Sequence, residues 1–211
     1  DGHVVGLALY LPGVGDVGAD LSGLKMRIPG IGGEIMSRMG VVPQTIAAGD
    51  IYSALERGTI DAVEWVGPAD DERLGFQKVA RYYYSPGWWD CGPQISLYIN
   101  AQAWASLPNE YKAAIETASA ESTMLMLAQY DTQNMAALRR LVGTGVQLRS
   151  FPRDVMDAAF KAAEGYYREE AARNAEFRRI YEPWTHFRDE IQQWFRIAEL
   201  SYDVFAHTQK R

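Results

Sequence analysis

Two residues of opposite charge, Arg27 and Glu64, each stand at the end of a short apolar run: Gly23-Leu-Lys-Met-Arg27-Ile-Pro-Gly30 and Asp61-Ala-Val-Glu64-Trp65-Val-Gly-Pro68. Between them, Ile46 to Gly58 has the pattern of a capped helix that carries the chain from one strand to the next. In an open α/β sheet, ligands collect beyond the carboxyl ends of the strands. That placement brings a fixed cation and a carboxylate to one rim. A cation and an anion facing one crevice suit a small carboxylate ligand accompanied by a metal ion.

The elements that must position these groups can be read in order. A strand is expected over 4–11, then a Gly-rich connection (Pro12 to Gly18) that lacks the Gly-Lys-Ser/Thr of a phosphate loop. Strand 24–28 stops at Pro29-Gly30, a helix covers about 32–39, and a short strand at 41–42 ends at Pro43. The next helix starts at Gly49-Asp50, with Asp50 as N-cap, buries Ile51, Ala54 and Leu55, and closes at Gly58. Strand 60–65 and a helix over 68–80 follow, and Asp70 and Asp71 are read as capping or solvating that helix. This alternation of strand and helix argues for a parallel sheet.

Beyond it, 81–84 and 94–100 are β-rich runs, separated by a Pro/Gly-rich stretch, 85–93, that has the composition of a hinge. A helical pattern then runs from Leu107 to about Leu141, followed by a strand at 146–149 and a long helix after Pro152. After Glu182-Pro183 the last helix places Phe187, Ile191, Trp194, Ala198 and Phe205 on one apolar stripe. Such a stripe needs a partner surface, either its own domain or a second copy of the chain.

Composition excludes several classes. At 211 residues, 47% hydrophobic and 23% charged, the chain can bury a substantial core. A net charge of −6 without a basic stripe argues against nucleic-acid binding. The single Cys91 rules out an internal disulfide and a cysteine zinc site, and His3, His186 and His207 share no metal-ligand spacing. No nucleophile elbow or Cys–His arrangement supports an enzyme. No leader peptide is visible, and no apolar run approaches the ~20 residues that span a bilayer.

Leu24-Lys-Met-Arg27-Ile-Pro-Gly30, the run from Ala48 through Asp50-Ile-Tyr-Ser to Glu64-Trp65, and Tyr98-Ile-Asn-Ala-Gln-Ala-Trp104 to Pro108 together resemble the solute-binding proteins of TRAP transporters. These are tripartite, ATP-independent periplasmic systems driven by an ion gradient. Glu64-Trp65-Val-Gly-Pro68 with Tyr82-Tyr-Tyr-Ser-Pro-Gly-Trp-Trp89 points to the branch that binds 2-oxo acids or lactate with a metal ion. The similarity covers about residues 20–207.

The resemblance implies a two-lobed, periplasmic-binding-protein-like α/β fold with a parallel-sheet lobe, a long bridging helix and apolar C-terminal helices. In that scheme 1–23 is a remnant of an upstream lobe and 24–90 is the ligand-binding lobe. Residues 91–182 hold the crossover strand, the bridging helix and second-lobe elements, and 183–211 form a C-terminal helix suited to a homodimer. Arg27 is expected to hold the ligand carboxylate with Trp65 beside it. Glu64, through its carboxylate, and Trp65, through its main-chain carbonyl, are expected to ligate Na⁺, or alternatively Ca²⁺. Asp90 is a further metal candidate. The implied partners are a small monocarboxylate of the pyruvate, 2-oxobutyrate or lactate type and the membrane permease subunits, and the implied compartment is the periplasm. Only about 23 residues precede the Arg27 strand, where the family has a lobe, and the branch's Gln ligand is not found, so the chain is expected to be either one that lacks its upstream sequence or a degenerate relative. The alternative is a helical interaction module with a vestigial cleft.

Overall fold

The computed structural model describes residues 9–11, 21–88 and 95–209. Compact packing divides the chain into one unit over 1–162 and a second over 163–211. In the first unit, strand β1 (Leu9–Leu11) is followed by β2 (Lys25–Arg27), α1 (Gly30–Ser37), β3 (Val42–Gln44), α2 (Ala48–Glu56), β4 (Ala62–Val63) and α3 (Pro68–Leu74). A 3₁₀ turn (Phe76–Lys78), β5 (Tyr82–Ser85), α4 (Ala101–Ser106), α5 (Asn109–Gly143), β6 (Gln147–Ser150) and the start of α6 (Arg153–Arg173) complete it.

Among the described residues the sheet has the order β3-β2-β4-β1-β5-β6. β2 runs parallel to β3 and β4, and β5 parallel to β6, while β1 lies antiparallel between β4 and β5. The parallel reading of 24–80 therefore holds. The side chains of a strand alternate between faces, and here both faces are covered. Val63 and Tyr83 pack with Ile51, Leu55, Phe76 and Leu141 on one side. Their chain neighbours Ala62 and Tyr84 pack with Met26, Met36, Phe151 and Val155 on the other.

The helix ends show where sequence and structure part. α2 begins at Ala48 with Ala47 as its N-cap, so Asp50 is not the cap; it lies in the first turn, where a carboxylate complements the helix dipole. Gly58, with φ 67°, ends that helix as expected. The helix expected over 68–80 stops at Leu74 because Gly75 takes the left-handed conformation at φ 79°. Residues 95–100 form no strand: Ile95, Leu97 and Tyr98 are 73%, 66% and 91% exposed, and no neighbouring strand among the described residues supplies a ladder. The expected strand over 4–11 is described only as β1, and the Gly-rich connection and most of the 85–93 hinge lie outside the described residues.

The second unit continues α6 into α7 (Ala175–Phe195), a π-helical stretch (Arg196–Leu200) and α8 (Ser201–Thr208). The break falls at Asn174, not at Pro183, which sits inside α7. Asn174 Oδ1 accepts from the N–H groups of Glu176 and Phe177 at 3.1 and 3.0 Å, an N-cap that outweighs the proline as a helix boundary. An aromatic row of Tyr167, Phe177, Tyr181 and Trp184 stacks along this unit, with centroids 5.4–6.3 Å apart.

Asp71 corrects another expectation. Rather than solvating its helix, it is fully buried. The Tyr83 hydroxyl donates to its Oδ2 at 2.7 Å, and the Val66 N–H donates to its Oδ1 at 3.4 Å. Asp70, its neighbour, accepts from the Tyr130 hydroxyl at 2.9 Å and pairs with Arg73 at 3.3 Å.

Two predictions follow from this packing. At Gly33 an added Cβ would lie 2.7 Å from the Ile28 carbonyl oxygen. Gly33→Ala is expected to cost about 1–3 kcal/mol of stability, and an unchanged urea midpoint would count against so tight a fit. Burial pushes the Asp71 carboxyl well above its usual range, against the pull of the Tyr83 hydroxyl and nearby N–H groups. A raised native value makes its contribution complete below the unfolded value of about 4 and lost as pH climbs through the native value. Asp71→Asn cannot ionise and should flatten the decline of Tm above about pH 4; a decline as steep as the natural chain's would contradict this.

Candidate functional site

The site is assembled by the parallel pairing of β2 and β4, in which Arg27 lies opposite Val63. The next residue on β4's side, Glu64, donates its N–H to the Arg27 carbonyl at 2.9 Å. The ladder thus fixes Arg27 and Glu64 side by side at the carboxyl ends of their strands, as the sequence pattern requires.

The Arg27 side chain then folds back on the same neighbour. Its Nη1 donates to the Glu64 main-chain oxygen at 2.8 Å and reaches Glu64 Oε2 at 3.3 Å. Its Nε donates to the Ile46 carbonyl at 3.4 Å. The guanidinium carbon lies 4.8 Å from the centre of the Trp65 ring, a cation–π contact that flattens the fork against a wall. The two charged side chains are only 11% and 13% exposed. Burial lowers the proton affinity of Arg27 and the Glu64 carboxylate raises it again, so the guanidinium stays charged.

One edge of this fork is unspent. Nη1 is fully engaged, yet among the described residues no acceptor reaches Nη2. A nearly buried guanidinium with donors held in place and unused is suited to grip an external carboxylate.

The oxygen donors beside it fit a hard cation. Glu64 brings a carboxylate, and the Trp65 carbonyl has no hydrogen-bond donor among the described residues. Oxygen ligands of this kind suit Na⁺ or Ca²⁺ rather than a soft metal. Among the described residues there is no cluster of three or more His, Cys, Asp or Glu side chains, so a cation here draws on main-chain or ligand oxygens as well as Glu64. Arg27, Glu64 and Trp65 are brought together; Asp90 lies outside the described residues.

Sequence reasoning missed the brace behind these residues. Asn134 of α5 accepts the Ala69 N–H at 3.0 Å and so caps α3 from another helix. Arg140 of α5 holds Glu72 through two hydrogen bonds, 2.8 and 2.6 Å long, which keeps that carboxyl below its usual range. The side-chain spacing of Tyr130, Asn134 and Ala137 on α5 signals one helical face, but nothing local says that α3 is what it meets.

Comparison with known proteins identifies the family of the chain. The family model described as bacterial extracellular solute-binding protein, family 7, matches residues 17–174. A monocarboxylate 2-oxoacid-binding periplasmic protein of Nostoc sp. is 49% identical over 188 residues, 89% of this chain and 52% of that protein. A TRAP transporter solute-binding protein from Bordetella bronchiseptica superposes with a TM-score of 0.91 at 48% identity, over 96% of this chain and 61% of its own. It is described as a mixed-occupancy dimer with calcium and picolinate in its active site. A TRAP periplasmic solute-binding protein from Pseudoalteromonas atlantica, with bound sodium and pyruvate, gives a TM-score of 0.89 at 32% identity, over 98% of this chain and 62% of its own. The chain therefore spans about half the length of the curated relative and about three fifths of the solved ones. With a doubly covered α/β sheet and a family match over most of its length, this chain belongs to the bacterial extracellular solute-binding proteins of family 7.

Proposed function

We propose that this chain carries the ligand-gripping half of a TRAP transporter solute-binding protein. It captures a small 2-oxo or 2-hydroxy monocarboxylate together with a cation, in the periplasm, and hands it to the membrane permease. The unspent Nη2 edge of Arg27, held beside Glu64 and the Trp65 carbonyl, is the observation that carries this reading. Residues 24–90 are the segment that supplies these groups. The names of the relatives, one binding 2-oxoacids and one holding pyruvate with sodium, support the substrate class. A charge-bearing site kept intact weighs against a vestigial cleft, and a family of binding proteins against an enzyme.

Charge balance favours Na⁺. Arg27 and Glu64 cancel, and the acid adds one negative charge. A bound cation supplies the positive charge that offsets it, and a monovalent ion brings the set to neutrality. Calcium suits the site if one more carboxylate joins, and Asp90 is the sequence's candidate for that position. Arg27 binds and orients the acid, Trp65 shields the guanidinium from water, and Glu64 holds both Arg27 and the cation.

The C-terminal helices support a homodimer. Phe187, Trp194, Ile197 and Phe205 are exposed large apolar residues, and the Bordetella relative is described as a dimer. Light scattering on the full-length protein should give a dimer that becomes a monomer when residues 186–211 are removed. A monomeric intact protein would refute this part.

The substrate reading is tested by thermal shift of the full-length protein with pyruvate, 2-oxobutyrate, lactate or succinate, each with Na⁺, Ca²⁺ or a chelator. A ligand at a hundred times its Kd adds about 2.7 kcal/mol to the native state, so a cation-dependent rise with a monocarboxylate is expected. Arg27→Ala and Glu64→Ala should each weaken binding at least about tenfold, or about 1.4 kcal/mol. Wild-type affinity in both variants would remove these residues from the site.

A further inference from the structure

The buried carboxyl of Asp71 touches the site at one point, and that point is informative. The Val66 N–H that donates to Asp71 Oδ1 belongs to the same peptide unit as the Trp65 carbonyl. In a trans peptide the N–H and C=O point in opposite directions, and among the described residues the cis bond is at Ser85-Pro86, not here. Fixing the N–H therefore fixes the direction of the carbonyl. Asp71 draws the N–H toward the buried face on which Tyr83 packs, which leaves the Trp65 oxygen directed away from that face and without a protein donor among the described residues.

We infer that Asp71 is a positioning residue for the cation site, setting the Trp65–Val66 peptide so that the Trp65 carbonyl is presented as a ligand. The inference rests on the proposed role of that carbonyl. Three further contacts keep Asp71 and its loop in place. The Tyr83 hydroxyl holds the other carboxyl oxygen at 2.7 Å, the Asp71 N–H donates to the Gly67 carbonyl at 2.9 Å, and Asn134 holds the Ala69 N–H at 3.0 Å. The loop between β4 and α3 is thus tied on its buried side at Val66 and Gly67, and the helix that follows it at Ala69. The role requires an acceptor at Asp71, not a charge, because a protonated carboxyl still offers its carbonyl oxygen. Groups that orient ligands from behind in this way commonly change metal affinity by about 10- to 100-fold when removed.

The test uses the full-length protein with pyruvate and either Na⁺ or Ca²⁺ as probes. Trp65-Val66 is the one Trp–Val pair in this sequence, so labelling tryptophan carbonyl carbon and valine nitrogen gives a nuclear magnetic resonance signal for this peptide, assigned in the full-length protein as the one that Val66→Ile removes. Addition of pyruvate with at least one of the two cations should move that signal. If it stays fixed, the Trp65 carbonyl is not a ligand, and the site reading fails along with the inference. Where it moves, Asp71→Leu should raise the Kd for the cation that moves it about 10- to 100-fold. Tyr83→Phe, which loosens the same carboxyl but leaves its contact with Val66, should lower Tm and keep Kd within about twofold. Asp71→Asn, which retains an acceptor, should also stay within about twofold. An unchanged Kd in Asp71→Leu overturns the role of Asp71 while leaving the site intact, as does an equal loss in Tyr83→Phe. If Asp71→Leu does not fold, Asp71→Asn decides: a tenfold loss there overturns the inference.

Discussion

Arg27 and Glu64 are bonded to each other twice, once through the sheet and once through the side chain, and the rest of the site depends on that double tie. The backbone link, Glu64 N–H to the Arg27 carbonyl, sets the register. The side-chain link, Nη1 to the Glu64 carbonyl, spends one edge of the guanidinium on the protein. A free arginine at a strand end would sample many rotamers and lose much of its binding energy to ordering. Here that ordering is done before a ligand arrives. Burial opposes the charge, and the carbonyls, the Glu64 carboxylate and the Trp65 ring offset it, so that a nearly buried cation is held without being neutralised.

A fixed fork is useful only on a fixed base. The helix α3 starts three residues after Trp65, and its first turn is held by residues that do not face the site. Asn134 caps it, Tyr130 and Arg73 hold Asp70, and Tyr83 holds Asp71 from the strand beneath. The exposed Arg140–Glu72 pair adds little stability by itself, as surface ion pairs do. Its value is geometric, since it pins α3 to α5 at the end opposite Asn134. Leu141, packed with Val63 and Tyr83 of the sheet, carries that connection into the interior, where Ala137 is also buried. Rigid elements thus surround a loop of four residues.

This division explains what the sequence could reveal. Arg27 and Glu64 were legible because strand ends, a connecting helix and right-handed parallel pairing are local patterns that fold to one arrangement. Trp65 entered only through the family resemblance, as the residue after Glu64 in the shared motif. The burial of Asp71 was not legible: at the second residue after an Ala, in the first turn of a helix beginning at Pro68, an aspartate is the ordinary capping or solvated residue. Only the meeting of α3 with β5 puts the Tyr83 hydroxyl over it, and that is a contact across twelve residues of chain. Asn174 and Pro183 teach the same lesson in reverse. Proline is the stronger local signal for a helix boundary, yet the asparagine that satisfies two N–H groups marks the break. Residues 94–100 have the composition of a strand and lie exposed, because strand propensity expresses fit to a neighbour and none among the described residues is there.

The charge arithmetic of the site gives the proposed co-binding its physical basis. Arg27 and Glu64 together are neutral, so either partner alone unbalances a nearly buried pair: the acid leaves a net negative charge and a monovalent cation a net positive one. Both together restore neutrality. In a site of low exposure, where charge interactions are several times stronger than in water, an unbalanced charge is costly. Each partner therefore raises the affinity for the other by the same factor, as any coupling of two binding events must. On that proposal, selectivity for the pair has its source in fixed groups. It follows from a guanidinium with one edge left open, a carboxylate beside it, and a carbonyl turned away from the core.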